Sequence, residues 1–182
     1  MMRMLASAVV LSLLLWGAAP AAAQEGGGKA GARAAARAQA EESGRAFMAG
    51  DFGKLLDYTY PRVVELGGGR ERLLAHLRTE AEAMRADGFE FVAYEAGEAG
   101  EPLALSGEKL TAVLVPVLLK LKAGGRVFSQ QSYLVGVSAD GGRRWTFISG
   151  SGLDAERLKL VLPEAGGRLK LPEEGELRVE PQ

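Results

Sequence analysis

The chain has 182 residues, with 22 Lys+Arg against 23 Asp+Glu for a net charge of −1, one histidine and no cysteine. A near-neutral chain without a basic stripe lacks the electrostatic footprint of a nucleic-acid or anionic-membrane binder. Without cysteine there is no disulfide, no thiol chemistry and no lipid attachment at a cysteine, so the domain depends on its core.

In chain order, Met1-Met2-Arg3 brings a positive charge, Leu5 to Trp16 is an apolar run, and Ala21-Ala22-Ala23 is a small-residue cleavage signal before Gln24. This reads as a secretory signal peptide over 1–23, too short and wrongly flanked for a membrane anchor. The remaining chain is expected to be exported, periplasmic or extracellular, with no membrane anchor after cleavage. Its length suits one domain.

Residues 24–31 are Gly-rich and polar and read as a flexible lead-in. From Ala32 to Ala49 the chain is Ala-rich, with Arg33, Arg37, Glu41 and Arg45 at spacing four, which predicts a helix. Gly50 is a C′ stop, and Asp51 an N-cap for a short helix, Phe52 to Tyr58, closed off by Pro61. Arg70 to Asp87 predicts a third helix, because Leu73, Leu74, Leu77, Ala81 and Met84 share one face. The Gly67-Gly68-Gly69 run before it reads as a turn. With no preceding strand and no following Lys-Ser/Thr, it is not a P-loop.

The period then changes to two. Phe89, Phe91 and Ala93 alternate with their neighbours, and after a Gly-rich break comes a short stretch, Pro102 to Leu105, with a turn at Ser106-Gly107. Lys109 to Lys122 and Arg126 to Ser138 are long strands joined at Ala123-Gly124-Gly125. Asp140-Gly141-Gly142 turns into a last strand ending at Ser149. Lys109–Lys122 is apolar on both faces, which calls for cover on both: helices on one, a second subunit on the other. Pro116 within it argues for a bulge or bend. Asp154 to Leu162 predicts a short helix, and the Pro/Gly/Glu-rich tail 163–182 is expected to lie on the surface or fray.

Helices first and a meander of long strands afterwards give an α+β class: three N-terminal helices packed on a curved antiparallel sheet. With the phrase Ala46-Phe47-Met48-Ala49-Gly50-Asp51-Phe52 at the first helix junction, this order resembles the NTF2-like (cystatin-like α+β cone) superfamily over about 32–162. That superfamily contains enzymes of ketosteroid-isomerase and dehydratase type as well as binding modules, so the resemblance implies a cone fold without choosing a function. Locally, Ser138-x-Asp140-x-Gly142-x-x-Trp145 is similar to the Asp-box hairpin of sialidases. There it is a structural device: Ser and Asp bind the turn backbone, Gly takes the strained position and Trp packs beneath.

Several residues are candidates for chemistry. His76, with Glu80 one turn on, forms an acid–base pair or a surface pair. Tyr58, Tyr60 and Tyr133 are potential hydroxyl donors into a cone, as the resemblance implies for isomerase-like sites, or core residues with a wet rim. Ser129, Gln130, Gln131 and Ser132 place polar groups in mid-strand, where Gln130 or Gln131 needs a buried partner. No metal site is expected, since one His and no Cys leave no ligand set, and no cofactor is implied.

The reading is an exported, non-catalytic domain that binds a small apolar or amphipathic ligand, or a partner protein, with a homodimer expected through the sheet. Its ligand contacts would be Tyr58, Tyr60, Gln130, Gln131 and Tyr133. The alternative is a small-molecule isomerase or lyase using Tyr58 with His76 and Glu80, which requires Tyr58, His76 and Gln131 to share one cavity.

Overall fold

The computed structural model describes residues 28–105 and 109–180. The leader over 1–23, most of the lead-in and the turn expected at Ser106-Gly107 lie outside the described residues. The chain is α+β, with five α-helices and a six-stranded antiparallel sheet among those residues.

Helix α1 (Lys29–Met48) starts three residues earlier than expected, so the lead-in supplies its first turn. Ala32, Ala36 and Ala40 are fully or almost fully buried along one face. Small side chains at i, i+4 and i+8 let the helix lie close to the sheet. The charged ladder beside that face ties down an irregular segment. Arg33 Nε donates to Ala99 O (2.7 Å), Arg37 Nε to Ala96 O (3.3 Å), and Glu41 Oε1 accepts from Ala96 N (2.7 Å). The helix stops at Gly50, whose φ of +68° suits glycine.

Asp51 caps α2 (Phe52–Asp57) by accepting from Lys54 N at 3.0 Å. A helix the sequence reading lacks follows, α3 (Pro61–Leu66), with Pro61 in its first turn. Proline ends a helix that precedes it but is favoured at N1, where its missing N–H has no partner to lose. Four helices therefore precede the sheet, not three. The fourth, α4 (Arg70–Ala86), has the expected apolar face half-buried and no fully buried residue. It is held against α2 by Arg70, which donates to Gly53 O (2.7 Å) and pairs with Asp57 (2.9 Å).

The sheet is built on one long hairpin, β3 (Thr111–Ala123) and β4 (Arg126–Ser138), in unbroken register from Thr111↔Ser138 to Ala123↔Arg126. Gly124 and Gly125 both have positive φ, as a two-residue type I′ turn requires. β1 (Glu90–Ala96) and β2 (Leu103–Ala104) line the outer side of β3. Pro116 makes no bulge against β4. Its carbonyl accepts from Gly97 N on the β1 side, so its absent N–H falls where β1 has ended and β2 has not begun. The bulge sits instead at Val92, between Phe91 and Ala93. Beyond β4 runs β5 (Thr146–Ser149), shorter than expected, and Tyr58–Tyr60 joins its edge through Tyr60 N–Phe147 O (2.9 Å) and Phe147 N–Tyr58 O (2.6 Å).

Two cores flank the sheet. On one face the alanines of α1 meet Val113, Val115, Val117, Trp145 and Phe147. On the other, Ala112, Tyr133, Val135, Val137 and Ile148 are covered by Leu158 of α5 (Ala155–Val161), Leu162, Ala165, Leu169 and Leu171. Helices therefore occupy both faces. The cover that the sequence left to a second subunit is supplied, at this end of β3, by the chain's own C-terminal segment. Nor is that segment a fraying tail. Gly175 N donates to Gln131 O (2.9 Å), β6 (Arg178–Val179) pairs with Phe128 and Ser129, and Glu180 meets Lys120 at 3.0 Å. An open β4 edge is thereby closed by local chain. The ordered fold runs well past Leu162.

Candidate functional site

A cavity of about 370 Å³ lies between the helices and the α1-facing side of the sheet. Its walls are Phe47 of α1, Leu55 and Leu56 of α2, Leu73 and Leu77 of α4, and Val117, Leu119 and Leu134 of the sheet. The volume falls in the range of small-ligand pockets, which are apolar with a few placed polar groups. α4 roofs it without entering the core. Ser149, Ser151 and Glu174 also border the cavity. They mark an opening at the stretch of the β4 edge between β5 and β6.

Strand parity decides which of the candidate residues reach this space. Val117↔Ser132 and Leu119↔Gln130 stand on the α1 side, whereas Leu118↔Gln131 and Pro116↔Tyr133 stand on the other. Gln130 and Ser132 accordingly line the cavity. Gln131 is exposed beneath the C-terminal strap, where a Cβ on Gly175 would stand 3.0 Å from its Cβ. Tyr133 borders the cavity, but its ring is buried in the second core and its hydroxyl donates to Leu153 O at 3.4 Å. Ser129 is half-buried, paired with Arg178 of β6 and not a wall of the cavity.

Tyr58 lines the cavity, and its hydroxyl donates to the Glu42 carboxylate. That bond, followed by burial, raises its pKa above the ordinary tyrosine value. Its proton is thus committed to α1. Tyr60 lies outside this cavity, in an open groove with Asp57 and Arg144, and burial raises its pKa. His76 is exposed beside a shallow depression at Gly67, Gly68 and Arg72, and Glu80 is exposed too. Among the described residues no hydrogen bond joins the two. Tyr58, His76 and Gln131 therefore occupy three separate places, and the convergence required of an isomerase built on them is not found.

Three contributors were not anticipated. Tyr94 of β1 lies over Gly44 so closely that any Cβ there would intersect its ring. Burial then pushes its pKa well above the usual value. Glu42 accepts the Tyr58 proton, and Glu174 of the C-terminal strap stands at the opening. The phase of the strand would have marked Tyr94 as a wall residue had the bulge at Val92 been known. Nothing in the Pro/Gly/Glu-rich tail distinguishes Glu174 from its acidic neighbours.

The hairpin after β4 has the bonding expected of it. Ser138 Oγ donates to Asp140 Oδ1 (2.9 Å) and accepts from Gly142 N (2.9 Å). Asp140 Oδ1 accepts from Arg144 N (3.0 Å) and Arg143 N (3.1 Å), which hold its carboxyl below the ordinary range. Trp145, 2% exposed, donates from Nε1 to Gly142 O (2.9 Å), while its backbone N–H donates to Gln39 Oε1 of α1 (2.8 Å). The loop anchors α1 and contributes no group to the cavity.

Among the described residues no cluster of three or more His, Cys, Asp or Glu side chains is arranged to hold a metal ion, and no helix is long and apolar enough to cross a membrane. No protein-family model, no curated protein and no solved structure matches this chain.

Proposed function

We propose that this is an exported binding protein of the NTF2-like cone type, which holds a small apolar or amphipathic molecule between α1, α2, α4 and the sheet. The observation that carries the reading is the cavity of about 370 Å³, walled by leucines, valine and aromatic rings and furnished with polar groups at its opening. The half-buried roof helix supports it, because an apolar face that is neither packed nor exposed gains from an occupant. Export rests on the sequence of residues 1–23 alone. A homodimer through the sheet would have only the part of the second face around Pro116 and Leu118 that the C-terminal segment leaves open.

The isomerase alternative has weaker support. Tyr58 donates to Glu42 and not into the cavity, and His76 is elsewhere. A base within reach of a substrate proton is the first requirement of such chemistry.

Titration with Nile red, a neutral dye that brightens in apolar surroundings, tests the binding reading. Saturable one-to-one enhancement is expected, and its loss in a Leu77→Trp variant that fills the space beneath the roof. Absence of saturable binding by a protein of native circular dichroism overturns it.

A further inference from the structure

The charge of the cavity narrows the class of occupant. Glu174 is the one carboxylate on its wall, and no Lys, Arg or His side chain lines it. A ligand that carries a carboxylate or phosphate would thus meet a negative charge and find no cation on that wall to pair with.

Glu174 is itself only loosely engaged. Its Oε1 accepts from Ser132 Oγ at 3.3 Å and Gln130 Nε2 at 3.4 Å, and its Oε2 from Gly152 N at 3.4 Å. All three lie beyond the usual range for strong bonds to a carboxylate, which run near 2.7–2.9 Å. Among the described residues no ion pair includes Glu174. Its charge stands at the opening, held by neutral donors, with the leucine-lined space behind it. Tyr58, Tyr94 and Phe147 add ring surface to the same walls, and ring faces attract cations.

We propose, on the basis of the binding reading above, that the occupant is a cationic amphiphile. An alkyl ammonium would place its nitrogen against Glu174, Gln130 and Ser132 and its chain under α4. Two cations stand outside the lining: Arg157, whose guanidinium donates to Gly152 O, and Arg45, which acts on the Tyr58 region. Glu42 on that side adds a second negative charge.

Isothermal titration of the purified protein with decylamine, decanol and decanoate, each below its micelle threshold, separates the possibilities. Decylammonium is expected to bind about tenfold more tightly than decanol, as one charge-assisted contact allows, and decanoate more weakly than either. Glu174→Gln should remove the preference for the ammonium, with decanol still binding. Retained decanol binding also shows that the variant is folded. Glu174→Lys should reverse the order of decylamine and decanoate. Decanoate binding as tightly as decylammonium, or a preference that survives Glu174→Gln, overturns this inference and leaves the binding reading intact. Failure of all three to bind overturns both.

Discussion

The ring of Tyr94 lies on the bare Cα of Gly44, a spot on α1 where any side chain would intersect it. Glycine in a helix interior costs about 1 kcal/mol relative to alanine, so its place here depends on the close approach. Gly44→Ala is expected to destabilise the protein by about 1–3 kcal/mol through overpacking, despite the better helix propensity. In a Tyr94→Ala background the same change should become neutral or stabilising. Urea unfolding of the four proteins checks the sign of the coupling.

All four tyrosines of the chain titrate above the ordinary value. Tyr58 does so chiefly through its bond to Glu42, and Tyr60, Tyr94 and Tyr133 chiefly through burial. A folded-state pKa raised above the unfolded one stabilises fully below the unfolded pKa, near 10, and that stability is lost as pH rises through the folded pKa. Ultraviolet titration of phenolate in the native protein should therefore lag the urea-unfolded chain, and stability should fall above about pH 10. Coincident native and unfolded titration curves would contradict this.

Asp140 behaves in the opposite sense. Arg144 N–H, then the Ser138 hydroxyl and Arg143 N–H, hold its carboxyl below the usual range. A depressed folded pKa gives stability that is present above the unfolded value, about 3.9, and lost as pH falls through the folded one. The stability gap between the native protein and Asp140→Asn should be largest near neutrality and close below about pH 4. Trp145→Ala, which empties a fully buried ring site above this turn, should cost about 3–5 kcal/mol at any pH where the protein folds.

The C-terminal segment offers an internal contrast. Leu162 is fully buried in the second core and Leu177 is 51% exposed. Leu162→Ala should cost about 2–5 kcal/mol, and Leu177→Ala should stay within about 0.5 kcal/mol. Removal of residues 163–182 should destabilise the domain severely. A truncated protein with an unchanged urea midpoint would show that the segment is an appendage.

What could be read from the residues follows where the signals are local. Paired glycines at 124–125 located the central hairpin, Gly50-Asp51 the first helix junction, and the spacing of Leu73, Leu74 and Leu77 the face of α4. Ambiguous local signals failed. Pro61 terminates one helix and opens another, and only the second role yields α3. Leu169 and Leu171 lie among Pro, Gly and Glu with no period, so their burial could come only from the sheet they cover.

Adjacent Gln130 and Gln131 were equal in sequence. The pleat sends them to opposite faces, and which face meets α1 is set by helices nearly a hundred residues upstream. Tyr58 and Gln130 thus reach the cavity, whereas Gln131, Tyr60 and His76 do not. Tyr94, Glu42 and Glu174 emerge only from packing.

The contact between Gln39 and Trp145 has a bearing on how the polypeptide acquires its form. The first helix is fixed by a residue 106 positions downstream, and the outer edge of β4 is completed by the last residues described. Such distant pairings make folding slow, since a long loop must close before any reward arrives. The contacts that fix the first helix and finish the β4 edge therefore form only once the late residues of the chain have been made.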